Sequence, residues 1–284
     1  MPASASTATR QGAPSGTAEE IAAQVLPVWV RRAEPFPHWV AQGLFAPDAY
    51  QKLEDQFREI LARGLCEGSE ALRFSRRMKG YDAYSVSLTR IGGALDVFST
   101  RAFHDHLVAL TGLPATLDVS GALHHHRAGS DHGRLHNDLN PGWFVDNPRP
   151  DGVNLNDPKL CNYNDGTTFA PGATARECVR GVAVLFYLAN PPWQPGDGGE
   201  TGLYKKHGTP VDKPDAVVVP HNNSALAFEC TPSSYHSFLH NARQARNSAI
   251  LWLHRTKADA VARFGEAKIV KWSKNPEPKS TKPT

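Results

Sequence analysis

Three apolar runs set the frame of this chain. Arg180-Gly-Val-Ala-Val-Leu-Phe-Tyr-Leu-Ala-Asn190 is apolar over a strand's length and ends in Pro191-Pro-Trp-Gln-Pro-Gly-Asp-Gly-Gly-Glu-Thr201. The second stretch is a turn-rich sequence that no helix or strand interior tolerates, so the pair reads as a buried strand feeding a surface loop. Ser224-Ala-Leu-Ala-Phe-Glu-Cys230 and Asn247-Ser-Ala-Ile-Leu-Trp-Leu253 are two further runs of strand length. Helical periods occur earlier. Pro47 opens a segment in which Tyr50, Leu53, Phe57 and Ile60 recur at three and four residues, and Ser99 or Thr100 caps another that carries Phe103, Leu107 and Leu110 before Gly112 and Pro114 stop it.

The 284 residues suit one large β domain with flanking helices. We expect that domain over 18–270, with its core at about 115–255. Residues 1–17 are rich in Ala, Ser, Thr and Gly, and 271–284 in Lys, Pro, Ser and Thr, so both are expected to be tails, disordered at the N-terminus and basic at the C-terminus. The segment 146–174, dense in Asn, Asp, Pro and Gly, reads as an insertion and a candidate lid. A net charge of +3 is too weak to argue for nucleic acid as a partner. Cys66, Cys161, Cys178 and Cys230 show no CxxC spacing and are expected to be free. With neither a signal-like N-terminus nor an apolar run of membrane length, a cytoplasmic protein without membrane insertion is expected.

The candidate chemistry lies in His136-Asn137-Asp138, answered by His236 and by Arg246-Asn247-Ser248. A His-x-Asp triplet alone is common and decides nothing. With a second His near a strand end, however, two imidazoles and one carboxylate could hold one face of a metal and leave the opposite positions open, as non-heme Fe(II) oxygenases require. The run His124-His125-His126 invites the same reading, but successive strand residues point to opposite faces and cannot all reach one ion.

From about Trp39 to His254 the chain resembles a 2-oxoglutarate/Fe(II)-dependent oxygenase of the prolyl 4-hydroxylase-like branch. The landmarks are Leu110-Thr-Gly-Leu-Pro114, Gly121 to Gly129, His136-x-Asp138, Tyr187-Leu188, Gly198-Gly199-Glu200, Ser234-Tyr235-His236 and Arg246-x-Ser248. The resemblance implies a mainly β fold with flanking α-helices around a double-stranded β-helix, a cupin-like jelly roll. It also implies Fe(II) on His136, Asp138 and His236, which form the catalytic centre, with 2-oxoglutarate as cosubstrate and O2 as oxidant. Arg246 matches the residue that pairs with the far carboxylate of 2-oxoglutarate, Tyr187 sits where a tyrosine hydroxyl joins it, and Ser248 could add a hydrogen bond. The family often carries a tyrosine near the position of His126 or Arg127, and this chain departs from that.

The implied reaction is hydroxylation of an unactivated C–H with release of succinate and CO2. Asp138 favours it, because related halogenases carry Gly or Ala at that position. Flanking the ligands, Arg127, Asn140, Trp143 and Glu200 are candidates for contacting a small polar metabolite such as an amino acid or a natural-product intermediate. A peptidyl or carrier-bound residue is the alternative substrate. A cupin-like metal-binding protein or isomerase without redox chemistry, and a lectin-like module, are the alternative functions; neither would need Arg246 and Tyr187 to converge near the metal.

Overall fold

The structure, a computed structural model, describes residues 16–68, 72–76, 83–150, 152–169 and 171–270. The expected tails fall outside these residues, except that the first helix already begins at Gly16. Strands follow in chain order as β1 (Val30–Arg32), β2 (His38–Gln42), β3 (Leu65–Cys66), β4 (Phe74–Arg76), β5 (Ala83–Ser87), β6 (Asp118–His126) and β7 (Pro141–Val145). They continue as β8 (Asn154–Leu155), β9 (Ala175–Tyr187), β10 (Thr201–Tyr204), β11 (Ala216–Val218), β12 (Ser224–Glu229), β13 (Tyr235–Phe238) and β14 (Arg246–Thr256). Four α-helices, α1 (Gly16–Ala22), α2 (Pro47–Ala62), α3 (Arg101–Thr111) and α4 (Lys257–Phe264), accompany them.

A large sheet runs β1-β2-β12-β9-β14-β6-β5-β4-β3, with β7 on β9 and β8 on β6, and a small sheet runs β11-β10-β13. Together they make the double-stranded β-helix core. The continuous apolarity of β9 has a direct cause: both of its faces are buried. Val182, Val184 and Phe186 belong to the core under the helices, while Ala183, Leu185 and Tyr187 belong to a second core with Leu203, Leu226 and Phe228. In β14, Ala249, Leu251 and Leu253 take the helix side, and Ile250 and Trp252 the inner side.

Both expected helices form. In α2, Leu53, Phe57 and Ile60 are buried, joined by Ala49, whereas Tyr50 is only half-buried against the core. For α3 the cap is Thr100, whose side chain accepts a hydrogen bond from the Phe103 N–H at 3.2 Å, an interaction of about 1 kcal/mol. It ends where Gly112 takes φ +65°.

The insertion at 146–174 is bound into the barrel wall. β8 pairs in parallel with β6, Arg149 forms a two-pronged ion pair with Asp96 at 2.6 and 2.7 Å, and Asn154 donates to Asp118 at 2.7 Å. Gly142 has no Cβ, which lets the Tyr163 ring lie against the backbone of β7. The four cysteines are free. No helix among the described residues is long and apolar enough to cross a membrane.

Candidate metal centre

His236 sits on β13 of the small sheet, and the segment ahead of β7 runs alongside it. The backbones of His136 and His236 exchange both hydrogen bonds, at 3.1 and 2.9 Å. This double bond sets the two rings 4.3 Å apart. His136 Nδ1 faces the Arg134 carbonyl at 2.7 Å and His236 Nδ1 the Ser234 carbonyl at 3.2 Å. A carbonyl only accepts, so each Nδ1 carries the proton and each Nε2 presents its lone pair. Between them is Asp138, with Oδ1 3.7 Å from His136 Nε2 and Oδ2 3.5 Å from His236 Nε2. The three ligand atoms lie within 4.8 Å of one another.

The large sheet fixes the carboxylate. Arg180 on β9 donates to Asp138 Oδ1 at 2.8 Å, and the Trp252 indole N–H on β14 donates to Oδ2 at 2.7 Å. Burial pushes the Asp138 carboxyl up, but the Arg180 charge beside it outweighs that and holds the acid well below its ordinary range. His136 is lowered to about 4, first by burial and then by the neighbouring imidazole. Asp138 is therefore ionised and His136 neutral near neutral pH, the states in which each can serve as a metal ligand. Two neutral imidazoles and one ionised carboxylate suit a borderline divalent ion such as Fe(II).

A pocket of about 390 Å³ opens over these ligands. Arg246 lines it deep inside, at 3% exposure. Its Nη1 donates to Ser248 Oγ at 3.1 Å and its Nη2 to Thr201 Oγ1 at 3.2 Å, while its Nε has no partner. Both partners are neutral, and among the described residues no carboxylate lies within 4.0 Å of this guanidinium.

The expected site residues divide. His136, Asp138, His236, Arg246 and Asn140 line the pocket. Tyr187 does not: its hydroxyl shares a 2.8 Å hydrogen bond with Thr201 and its ring lies 5.0 Å from the Arg246 guanidinium carbon. Ser248 supports Arg246 without lining the pocket. Three expected substrate contacts lie elsewhere. Arg127 is exposed on the turn after β6, where its carbonyl accepts from Ser130 and Asn241. Glu200 lies just ahead of β10 and does not line the pocket, whereas its neighbour Thr201, the first residue of the strand, does. Two residues along β7 from the pocket-lining Pro141, Trp143 has moved under Gly166, whose missing Cβ leaves it room.

Thr201, Trp252, Tyr163 and Phe238, which the sequence did not single out, line the pocket, and so does Arg180. His124 and His126 line it too, while the alternating His125 turns outward to Asn247 Oδ1 at 2.7 Å. His126 stacks on Phe238 at 4.1 Å and is lowered well below its ordinary value, first by burial and then by the charge of Arg246.

Residues 159–254 match the family model of the 2OG-Fe(II) oxygenase superfamily. His236 and Arg246 fall inside that stretch, and His136 and Asp138 precede it. No curated protein matches the chain. Among solved structures, it is similar to a prolyl-4-hydroxylase from Pseudomonas putida at 15% identity, covering 84% of this chain and 98% of that one with a TM-score of 0.45. A prolyl hydroxylase from Trichoplax adhaerens, solved with a hypoxia inducible factor peptide, is 17% identical, with coverage of 79% and 86% and a TM-score of 0.49. A 2OG-Fe(II) oxygenase-family oxidoreductase from Burkholderia pseudomallei is 11% identical, with coverage of 85% and 92% and a TM-score of 0.44. The family model thus covers about a third of the chain, and over that stretch, together with the His-Asp-His centre, the protein is similar to the 2OG-Fe(II) oxygenases, a superfamily that uses Fe(II), 2-oxoglutarate and O2.

Proposed function

We propose that the enzyme hydroxylates an unactivated C–H of a small polar metabolite, with His136, Asp138 and His236 holding the iron and Arg246 holding the far carboxylate of 2-oxoglutarate. The observation that carries the cosubstrate assignment is the isolation of Arg246. A buried cation with only neutral partners is costly, and an anion that enters the pocket removes the cost. Thr201 and Ser248 hold the guanidinium fork in place, and a carboxylate that meets a fixed fork forms paired charge-assisted hydrogen bonds. Bound at the triad, Fe(II) with 2-oxoglutarate and O2 supplies the oxidising power, and succinate and CO2 leave as co-products.

The chain's own residues position and shield. Arg180 and Trp252 keep the Asp138 carboxylate turned toward the two imidazoles, and the backbone carbonyls of Arg134 and Ser234 fix an Nδ1–H on each ring so that Nε2 is the nitrogen aimed at the metal. Tyr163, Phe238, Ile250 and Trp252 supply the largely apolar wall that limits water. The pocket size supports a small substrate. About 390 Å³ stands near the lower end of the roughly 300–1,000 Å³ typical of ligand sites, and the cosubstrate must share it. The test is iron-dependent O2 uptake and succinate formation from 2-oxoglutarate, followed by a mass-spectrometric screen for gain of one oxygen atom. A product formed only on peptides would replace the metabolite by a peptidyl residue.

A further inference from the structure

The site described so far leaves one buried arginine only partly used. Arg180 lines the same pocket as Arg246 and faces the metal ligands from β9. Its Nη1 is bound to Asp138, its Nε donates to the Tyr163 hydroxyl at 3.2 Å, and its guanidinium carbon lies 3.8 Å from the centroid of the Trp252 ring. Among the described residues nothing accepts from its Nη2. The group is thus clamped on three sides, with one terminal donor uncommitted.

Beside it stands Asn140, whose backbone carbonyl accepts from the Arg180 N–H at 3.0 Å. The Asn140 side chain is 5% exposed, and its Oδ1 has no hydrogen-bond partner. Its Nδ2 reaches the Asn137 carbonyl at 3.5 Å, which orients the amide and leaves the oxygen as the unsatisfied atom. An unpaired buried acceptor costs free energy until a donor meets it. Both residues line the pocket, and their backbones are hydrogen-bonded; an open donor on one and an unsatisfied acceptor on the other describe a ligand that would satisfy both, an anion with a hydrogen-bond donor next to it.

Charge points the same way. Among the described residues that line the pocket, Asp138 is the only carboxylate, against Arg134, Arg180 and Arg246. Fe(II) adds two positive charges and 2-oxoglutarate two negative ones, so loading the cofactor and cosubstrate leaves the excess of arginine charge intact. The carboxylate end of a substrate would therefore be drawn to Arg180, while its ammonium end would meet an uncharged acceptor.

We infer that Arg180 and Asn140 form a recognition site for an α-amino carboxylate, with Arg180 Nη2 binding the carboxylate and Asn140 Oδ1 accepting from the ammonium, so that the prime substrate is a free α-amino acid. This rests on the oxygenase reading above and narrows its substrate class. It separates two anionic sites within one pocket, Arg246 for the cosubstrate and Arg180 for the substrate.

The experiment uses the full chain loaded with Fe(II) and 2-oxoglutarate under anaerobic conditions and measures binding by calorimetry and by the fluorescence of tryptophan. The probes are the proteinogenic L-amino acids, each paired with its own carboxamide and with a blocked peptide that contains the same residue. The expected result is that at least one free acid binds, with its carboxamide about tenfold or more weaker. Arg180→Gln should abolish that preference in whatever fraction of the protein still binds Fe(II) and 2-oxoglutarate. Asn140→Ala should weaken the amino acid more than the matching acid that lacks the ammonium group. The wild-type comparison of acid with amide needs no variant, so a poorly folded Arg180→Gln protein does not blunt the test. Equal binding of acid and amide, binding of blocked peptides alone, or no binding by any probe to a protein that still binds 2-oxoglutarate overturns the amino-acid site and spares the oxygenase reading. Failure to bind 2-oxoglutarate in the presence of iron overturns both.

Discussion

Arg180 and Arg246 line one pocket, yet the protein holds them in opposite ways. Arg180 is compensated: it pairs with the Asp138 carboxylate, lies on Trp252 and is anchored by Tyr163. Arg246 is framed by two hydroxyls and two aromatic rings, Tyr187 at 5.0 Å and Phe238 at 5.5 Å, and among the described residues meets no carboxylate. A buried arginine with its own carboxylate is a positioning device for that carboxylate. A buried arginine without one is a binding site for someone else's. On the proposed reading, the fold itself fixes Arg180 against the metal ligands and leaves it one donor for a substrate, whereas Arg246 meets its carboxylate only when the cosubstrate binds.

The largest test of this comparison removes the centre that both arginines serve. His236→Ala or Asp138→Gly takes away one of three protein ligands, and we expect iron-dependent turnover to be lost with the circular dichroism spectrum retained. Asp138→Gly also strips Arg180 of its partner. Leaving one member of a buried pair uncompensated costs about 3–5 kcal/mol, so this variant should melt well below His236→Ala. Equal melting temperatures would show that the Arg180 pair contributes nothing to the fold.

Arg246→Ala breaks the other side. Truncating one partner of a desolvated charge pair costs roughly 2–5 kcal/mol, so the KM for 2-oxoglutarate should rise about 30-fold or more while iron affinity is kept. Steady-state succinate formation measures it. An unchanged KM would hand the cosubstrate to Arg180 and reverse the assignment of the two arginines.

A third test concerns the wall beside Arg180. Tyr163 ties the insertion at 146–174 to the barrel through its hydroxyl, which bonds Arg180 Nε and, at 2.7 Å, His254 Nε2. His254 is fully buried and lowered to about 3, by burial first and the charge of Arg180 second, so it stays neutral at any working pH. Tyr163→Phe removes these contacts and should cost about 1–3 kcal/mol in thermal stability. If the insertion is a wall, its peptides are slow to exchange hydrogen before any substrate is added, and Tyr163→Phe speeds them. If it is the lid that its composition suggests, they exchange fast until substrate binds.

What the sequence revealed and what it hid follow the same division. Apolar runs marked β9, β12 and β14 because these strands are buried on both faces, and the spacing of Leu53, Phe57 and Ile60 marked α2. The metal ligands and Arg246 were legible because their residue types are few and chemically specific. Arg180 was not. Strict alternation along β9 from the inward Ala183, Leu185 and Tyr187 would turn Arg180 outward. The pairing of β9 with β14 slips between Leu253 and His254, so that Leu253 opposes Val182 and His254 opposes Arg180, with Gly181 left over. That bulge re-aims Arg180 into the pocket. Residue types do not announce a bulge, and the glycine at its centre was the one available cue. Glu200 and Thr201 show a smaller version of the same difficulty: the family-like Gly198-Gly199-Glu200 drew attention to Glu200, whereas it is its neighbour that lines the pocket.

The finest test of the comparison lies in how Arg246 is framed. Ser248 and Thr201 each accept one hydrogen bond from it, at 3.1 and 3.2 Å, but their surroundings differ. Ser248 touches the guanidinium from behind and does not line the pocket. Thr201 lines the pocket, and its hydroxyl also meets that of the fully buried Tyr187, so it links a second buried polar group to the arginine. Ser248→Ala removes one net hydrogen bond, worth about 0.5–1.5 kcal/mol, and should raise the KM for 2-oxoglutarate about two- to tenfold. Thr201→Val keeps the shape, removes the same kind of bond and strands the Tyr187 hydroxyl as well, so its effect should be the larger of the two. Thr201→Ser, which restores the hydroxyl, should recover most of it. Tyr187→Phe supplies the control: with Thr201 intact it should shift the KM less than Thr201→Val does, because the Thr201 hydroxyl still holds the arginine and the ring beside it is kept. A Tyr187→Phe effect equal to that of Arg246→Ala would instead put the tyrosine hydroxyl on the cosubstrate itself and give Thr201 the supporting role.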